Sequence, residues 1–148
     1  MTTSPENALY LVLKNAVDNA NPVNPLYLAD VHPTVYSVID SVKTIRISNC
    51  ESDFVPHYDE SIEEYDARVP LQILVKVNDV DSPDSYVVAR DLLRAVTMKV
   101  VGILLDDVTL GARVCDLKLN RAFRGWAKIQ TAVYAVTILP IVVNPREL

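Results

Sequence analysis

The sequence predicts an α+β fold, an antiparallel sheet of about four strands with two helices packed on one face and a long exposed hairpin. Apolar residues recur at helical spacing through 83–104, alternate through 69–77 and 113–119, and run almost unbroken through 132–143. Packing two amphipathic helices on one face of a sheet is the simplest way to bury these patterns. The chain has 148 residues, of which 50% are hydrophobic and 22% charged, so we expect a single domain over 1–148.

Both helices are predicted by a start signal followed by apolar residues at helical spacing. Ser4 precedes Pro5 and Glu6, which supplies a capping side chain, a first-turn proline and an acid near the positive end of the helix dipole. This helix should end near Asn19. Residues 81–84 repeat the signal before a helix of about 22 residues. Its apolar face holds Tyr86, Ala89, Leu93, Val96, Val100 and Leu104, with Arg90, Arg94 and Thr97 towards its edges.

Four strands are predicted, at 42–48, 69–77, 113–119 and 132–143. The last is apolar on both faces, which is typical of a central strand covered on both sides. It also contains Pro140, and proline prefers an edge strand or a bulge because it lacks a backbone donor. One hypothesis satisfies both observations: the far half of this strand extends past the domain and contacts a neighbouring subunit.

Two connecting segments have weaker patterns. Residues 26–40 are compatible with a short helical turn or a loop. Residues 51–66 hold seven carboxylates and no Lys or Arg, which predicts a long exposed hairpin or loop. Loops of this length within a compact domain are usually functional or disordered.

The sequence favours a protein without catalytic activity, metal or cofactor. His57 lies among carboxylates, but the spacing matches no familiar metal cage, so a solvated acidic loop is the better interpretation. His32 stands before Pro33 and is predicted to be a loop histidine without an acidic or cysteine partner. None of the three glycines stands in a nucleophile-elbow or phosphate-binding pattern.

A basic segment with aromatic residues, 120–130, is predicted to be a free loop that contacts partners. Its candidate contact residues are Arg121, Phe123, Arg124, Trp126 and Lys128. Aromatic and arginine side chains are enriched at interface hot spots and also suit single-stranded nucleic acid, but the net charge of −5 disfavours nucleic acid. The alternative is that Trp126 folds back as a lid on the core.

The acidic segment complements this basic loop. Its candidate contact residues are Asp59, Glu60, Glu63 and Glu64. A ring of identical subunits could set one segment against the other in a head-to-tail contact that closes. Such charge pairing contributes more to orientation than to affinity.

The order of these elements resembles the tail terminator proteins of long-tailed phages, also called tail completion proteins. The matching pieces are the turn at 107–111, the strand ending at Leu119, Gly125-Trp126-Ala127 and Tyr134-Ala135-Val136, about 60 residues together. Val108 stands where that family often has a proline in the turn.

The resemblance implies a structural role in the virion. Copies would form a ring, expected to be a hexamer, on the last ring of the tail tube protein, stop tube growth and join the connector or stopper protein of the head. Genomic DNA would pass through the lumen without specific binding. We expect synthesis in the host cytoplasm, since the first residues lack a signal-peptide pattern. The resemblance implies location in the tail or neck, without membrane contact. The alternatives are a head–tail stopper or connector, a tail assembly factor, or a metal-dependent hydrolase built on the acidic segment.

Overall fold

A computed structural model describes residues 4–53 and 66–145 of the chain, and over these ranges the fold is α+β, as expected. The elements are α1 (Pro5–Asp18), β1 (Asp30–His32), β2 (Lys43–Ile47), β3 (Glu51–Asp53), β4 (Asp66–Lys76), α2 (Pro83–Asp106), β5 (Val114–Leu119), β6 (Phe123–Ile129) and β7 (Ala132–Pro145). Neither helix in these ranges is long and apolar enough to cross a membrane.

The sheet has seven strands in the described ranges, so the prediction of about four antiparallel strands is wrong. The main path runs β1-β2-β4-β7-β5, while β3 pairs with β4 and β6 pairs with β7. The β1 strand runs parallel to β2 and makes the sheet mixed, whereas the other pairs are antiparallel. Both β1 and β3 have three residues, too few for an alternating pattern to be visible in sequence.

The two predicted helices are confirmed, with ends close to the expected ones. In α1 the backbone N–H of Asn7 donates to Ser4 Oγ at 3.2 Å, which is the predicted cap. The α2 helix has 24 residues, and the side chain of Ser82 forms no capping hydrogen bond, so proline and Asp84 are the only first-turn features there.

Both helices bury their apolar residues against the same face of the sheet, called here the helix side. Side chains at odd positions of β4 and β7, such as Ile73 and Leu139, join α1 and α2 in one hydrophobic core. Thr97 was predicted to lie at the edge of α2, but it is buried, and its Oγ1 donates to Thr137 Oγ1 at 3.3 Å. This hydrogen bond fixes α2 above β7.

The turn between α2 and β5 is organised by Asp107. Its carboxylate accepts the hydroxyl of Thr109 at 2.9 Å and the backbone N–H of Gly111 at 2.7 Å. These hydrogen bonds lower the pKa of Asp107 below its ordinary value. Gly111 has a φ of 68°, a left-handed conformation that glycine adopts without steric cost.

The β7 strand is central along its length, so the expectation that its far half extends past the domain to pair with a neighbouring subunit is wrong. Residues 134–143 pair with β4 on one side, while β6 and β5 share the other side. Pro140 lies where β6 ends and β5 begins, and its carbonyl accepts the N–H of Asn120 at 3.0 Å. A residue's amide nitrogen and carbonyl point the same way along a strand, so the missing donor of Pro140 faces this break.

The opposite face of the sheet, called here the far side, is partly covered by the connection from β1 to β2. Arg46 donates from Nη1 to the carbonyl of Val35 at 2.9 Å and from Nη2 to Gln72 Oε1 at 2.8 Å. Residues 26–40, left open between a helical turn and a loop, contain β1 and turns. The acidic segment predicted as an exposed hairpin has its centre, 54–65, outside the described residues.

Candidate functional site

The basic segment is not a free loop, because most of it forms β6. Residues 123–129 pair antiparallel with β7, from Phe123 opposite Ile138 to Ile129 opposite Ala132. Gln130 and Thr131 form the two-residue connection, and Gln130 adopts a φ of 57°. In the described ranges β6 has no second partner strand, so its outer edge is open.

Strand alternation separates the two aromatic side chains of β6. Trp126 lies opposite Ala135 and Arg124 opposite Thr137, which places both on the helix side. Phe123 lies opposite Ile138 on the far side. The predicted single patch is therefore two surfaces, one on each side of the same edge strand.

Trp126 is neither free in solvent nor a lid buried on the core. Its ring meets the ring of Tyr86 on α2 edge to face, with centroids 5.3 Å apart and an angle of 63° between the planes. The residue is still 51% exposed. An edge-to-face pair holds the indole against α2 and leaves about half of its surface available for contact.

A cleft lies between α2 and β6 next to this ring pair. Its volume is about 330 Å³, and we call it the cationic cleft, defined by Arg90, Arg94, Arg124 and Trp126. Asp91 and Leu93 of α2 also line it. The two arginines of α2 were not among the sequence-predicted contact residues. Their spacing of four residues places them on one helix face, which was the available signal, but only the fold brings them to Arg124.

The side chains that line the cleft carry a net positive charge. Arg90 Nε lies 3.4 Å from Asp91 Oδ1, and both side chains are largely exposed. Arg94 and Arg124 have no acidic partner in the described ranges. Two guanidinium groups beside a half-exposed indole suit carboxylates, because arginine binds a carboxylate through two parallel N–H groups.

The remaining predicted contact residues do not join the cleft. Arg121 lies exposed in the break between β5 and β6, and Lys128 is exposed near the end of β6, beyond the cleft lining. The acidic contact residues Asp59, Glu60, Glu63 and Glu64 lie outside the described residues.

A second cluster surrounds His32, which was predicted to be a loop histidine without an acidic partner. That prediction is wrong, because His32 is the last residue of β1, and donor atoms of Asp30, His32 and Asp40 lie within 4.8 Å of one another. Among the residues that the structure describes, His32 Nε2 is buried without a hydrogen-bond partner, and the hydroxyl of Ser41 donates to Asp30. An imidazole with two carboxylates is a donor set that divalent cations use. Asp40 reaches it through the connection from β1 to β2, which sequence spacing does not reveal.

Comparisons with known proteins neither confirm nor contradict the resemblance seen in the sequence. No protein-family model matches the chain, and a search of curated proteins found no significant match.

Proposed function

We propose that this protein is a structural component of a phage tail that forms a ring at the head-proximal end of the tail tube. There it stops tube growth and joins the tail to the head. The proposal starts from the resemblance to tail terminators in the order of the elements. One structural observation supports it most: β6 is an edge strand that exposes an aromatic side chain on each side of the sheet.

Exposed aromatic side chains on an open edge strand favour association with a partner. Phe123 is 62% and Trp126 51% exposed, and an uncovered edge strand with such side chains invites association. A ring subunit needs one surface for its neighbours and another for the partner stacked on the ring. Phe123 and Trp126 lie on opposite sides of the sheet, which supports one surface for neighbouring subunits and another for the stacked partner on the same strand.

The far-side surface extends from Phe123 into β7. Ile138, its cross-strand partner, is 38% exposed and is followed on the same side by Pro140 and Val142, both half-buried. We assign this strip to the axial partners, the tail tube protein or the head connector, because the cleft on the helix side carries the charge suited to neighbouring subunits. DNA crossing the ring would meet a chain of net charge −5, which repels phosphate.

The experiment that tests the role is electron microscopy of the parent phage with this gene disabled. A terminator predicts filled heads beside separate tails of irregular, excessive length. Tails of normal length with unjoined or leaking heads would identify a stopper or connector instead. Intact particles would exclude both structural roles.

Complementation separates the far-side surface from general stability. Phe123→Ser supplied in trans should fail to restore tail joining, because it removes the largest exposed apolar side chain of the strip. Val23→Ser is the matched control, since Val23 is 89% exposed in the turn after α1. Equal complementation by both variants would contradict the assignment of the strip.

A further inference from the structure

We propose that the cationic cleft of one subunit receives residues 54–65 of a neighbouring copy. The inference rests on the proposed ring and names the contact that builds it. It differs from the pairing expected from sequence in its receiving site, which is the cleft with Arg90 and Arg94 of α2 rather than a basic loop.

Charge identifies the occupant of the cleft. Residues 54–65 hold Asp59, Glu60, Glu63 and Glu64 without Lys or Arg, so they offer four carboxylates. The cleft offers Arg94 and Arg124 without acidic partners in the described ranges. The aromatic and apolar residues of the segment match the exposed indole of Trp126, and are Phe54, Val55, Tyr58, Ile62 and Tyr65.

The sheet places the two ends of the segment far from the cleft of the same chain. The segment connects Asp53 to Asp66, which are paired at the start of β4. Trp126 lies opposite Ala135, which lies opposite Val75 at the other end of β4. Nine residues of strand separate Asp66 from Val75, about 30 Å, and the step from β4 across to β6 adds about 10 Å sideways.

Chain length then restricts contact within one subunit. Arg124 lies opposite Thr137, which lies opposite Ile73, so it is about 25 Å from Asp66 by the same strand spacing. Glu63 and Glu64 are three and two residues from Asp66, so at about 3.6 Å per residue the chain holds them within about 11 Å of that anchor. These two carboxylates therefore meet a cleft only on another copy.

A contact between unlike surfaces at opposite ends of a subunit is heterologous. Each copy carries one cleft and one segment, so every docking leaves one of each unfilled. Repetition of such a contact closes into a ring when its rotation permits, and otherwise continues as a filament. The inference thus accounts for a ring without requiring strand exchange between subunits.

Two charge-reversal variants test the contact. The cleft variant carries Arg94→Glu and Arg124→Glu, and the segment variant carries Glu63→Arg and Glu64→Arg. We expect self-association of each variant alone, measured by sedimentation velocity, to weaken by about 100-fold or more, because like charges then face each other. Mixed in equal amounts, each cleft faces a segment of opposite charge, and association should return to within about tenfold of the wild type.

The mixture also provides a structural signature. Productive contacts in the mixture join unlike variants only, so subunits must alternate and closed rings must contain an even number of copies. Native mass spectrometry should therefore find equal numbers of the two variants in every ring. Recovery on mixing shows in addition that both variants are folded.

A control and the contrary outcomes complete the test. Lys99→Glu with Lys118→Glu makes the same charge change on exposed residues of α2 and β5 outside the cleft lining, and should self-associate as the wild type does. If the wild type forms rings and either charge variant also assembles normally, the inference is overturned and the ring proposal stands. The same conclusion follows if the wild type forms rings and mixing the two variants gives no recovery. Full recovery on mixing, in a protein whose loss leaves the phage tails normal, would instead overturn the proposed function alone.

Discussion

Pro70 lies directly opposite Pro140 in the β4–β7 pair. The carbonyl of Pro70 accepts the N–H of Ser48 at 3.0 Å, and that of Pro140 accepts the N–H of Asn120 at the same distance. Both prolines therefore direct their missing donors outwards, to the gaps between β2 and β3 and between β5 and β6. Two central strands tolerate proline because each stands where its outer partner is interrupted.

Moving the proline by two residues should show that β7 tolerates it only where the outer partner strand is interrupted. Val142 has the same backbone orientation as Pro140, but it faces Lys118 where β5 is intact. Val142→Pro should lower the free energy of unfolding by about 2 kcal/mol or more, because it leaves a β5 carbonyl without its donor. Pro140→Ala should change it by less than about 1 kcal/mol. Urea denaturation measures both, and equal losses would contradict the account.

The buried threonines provide a test of hydrogen bonding in the core. Thr137→Val should cost about 1 to 2 kcal/mol, since Thr97 then loses its buried partner. Thr44 is equally buried, but its Oγ1 has no hydrogen-bond partner in the part of the chain that the structure describes. Thr44→Val should therefore be neutral or raise stability by about 1 kcal/mol. A similar loss for the two variants in thermal or urea denaturation would refute this distinction.

Asp107 predicts a pH dependence of stability. The pKa of Asp107 is lower in the folded state than in the unfolded state. The stabilisation of the fold by its ionised carboxylate is therefore complete above the unfolded-state pKa and is lost as pH falls through the folded-state pKa. Asp107→Asn should cost about 1 kcal/mol at neutral pH, a modest figure because the carboxylate is partly exposed. The difference between the variant and the wild type should shrink as pH falls below about 4.

Asp106→Asn is the control for this measurement. Asp106 is exposed, and its carboxylate makes no hydrogen bond or ion pair with the described residues, so the stability of the Asp106→Asn variant should stay within about 0.5 kcal/mol of the wild type. A pH profile for Asp107→Asn that runs parallel to the wild type would show that the turn hydrogen bonds do not depend on ionisation.

Trp126 should matter more for assembly than for folding. Trp126→Ala removes the ring contact with Tyr86 and should lower monomer stability by about 1 kcal/mol, while weakening self-association by about tenfold or more. Trp126→Phe keeps an aromatic edge at this position and should retain most of the monomer stability and most of the self-association. A loss of about 3 to 5 kcal/mol in the monomer would place the indole in the core instead.

Sequence reasoning predicted the elements whose signals are local. Helix caps and apolar periodicity were sufficient for α1 and α2, alternation was sufficient for β4 and β5, and a long apolar run was sufficient for β7. It missed β6 because Gly125 and its charged neighbours have low strand propensity. Its turn also lacks the usual glycine or asparagine, with Gln130 taking the positive φ instead.

The candidate site was only partly predictable for a related reason. Trp126 and Arg124 stood out by composition, but their placement depends on strand alternation that a loop interpretation ignores. Arg94 belongs to the site only because α2 packs over β7. His32 lies near Asp40 because of the path of the connection from β1 to β2, which no local sequence pattern specifies.

The full pairing of β7 within its own chain has a consequence for the order of events in assembly. A strand with partners on both sides has no backbone groups left to exchange with another molecule. In the proposed ring, each copy would therefore keep β7 fully paired and would associate through surfaces that its monomer already has, among them the open outer edge of β6. Such subunits can accumulate as monomers and be recruited when a partner surface becomes available, without a step of unfolding.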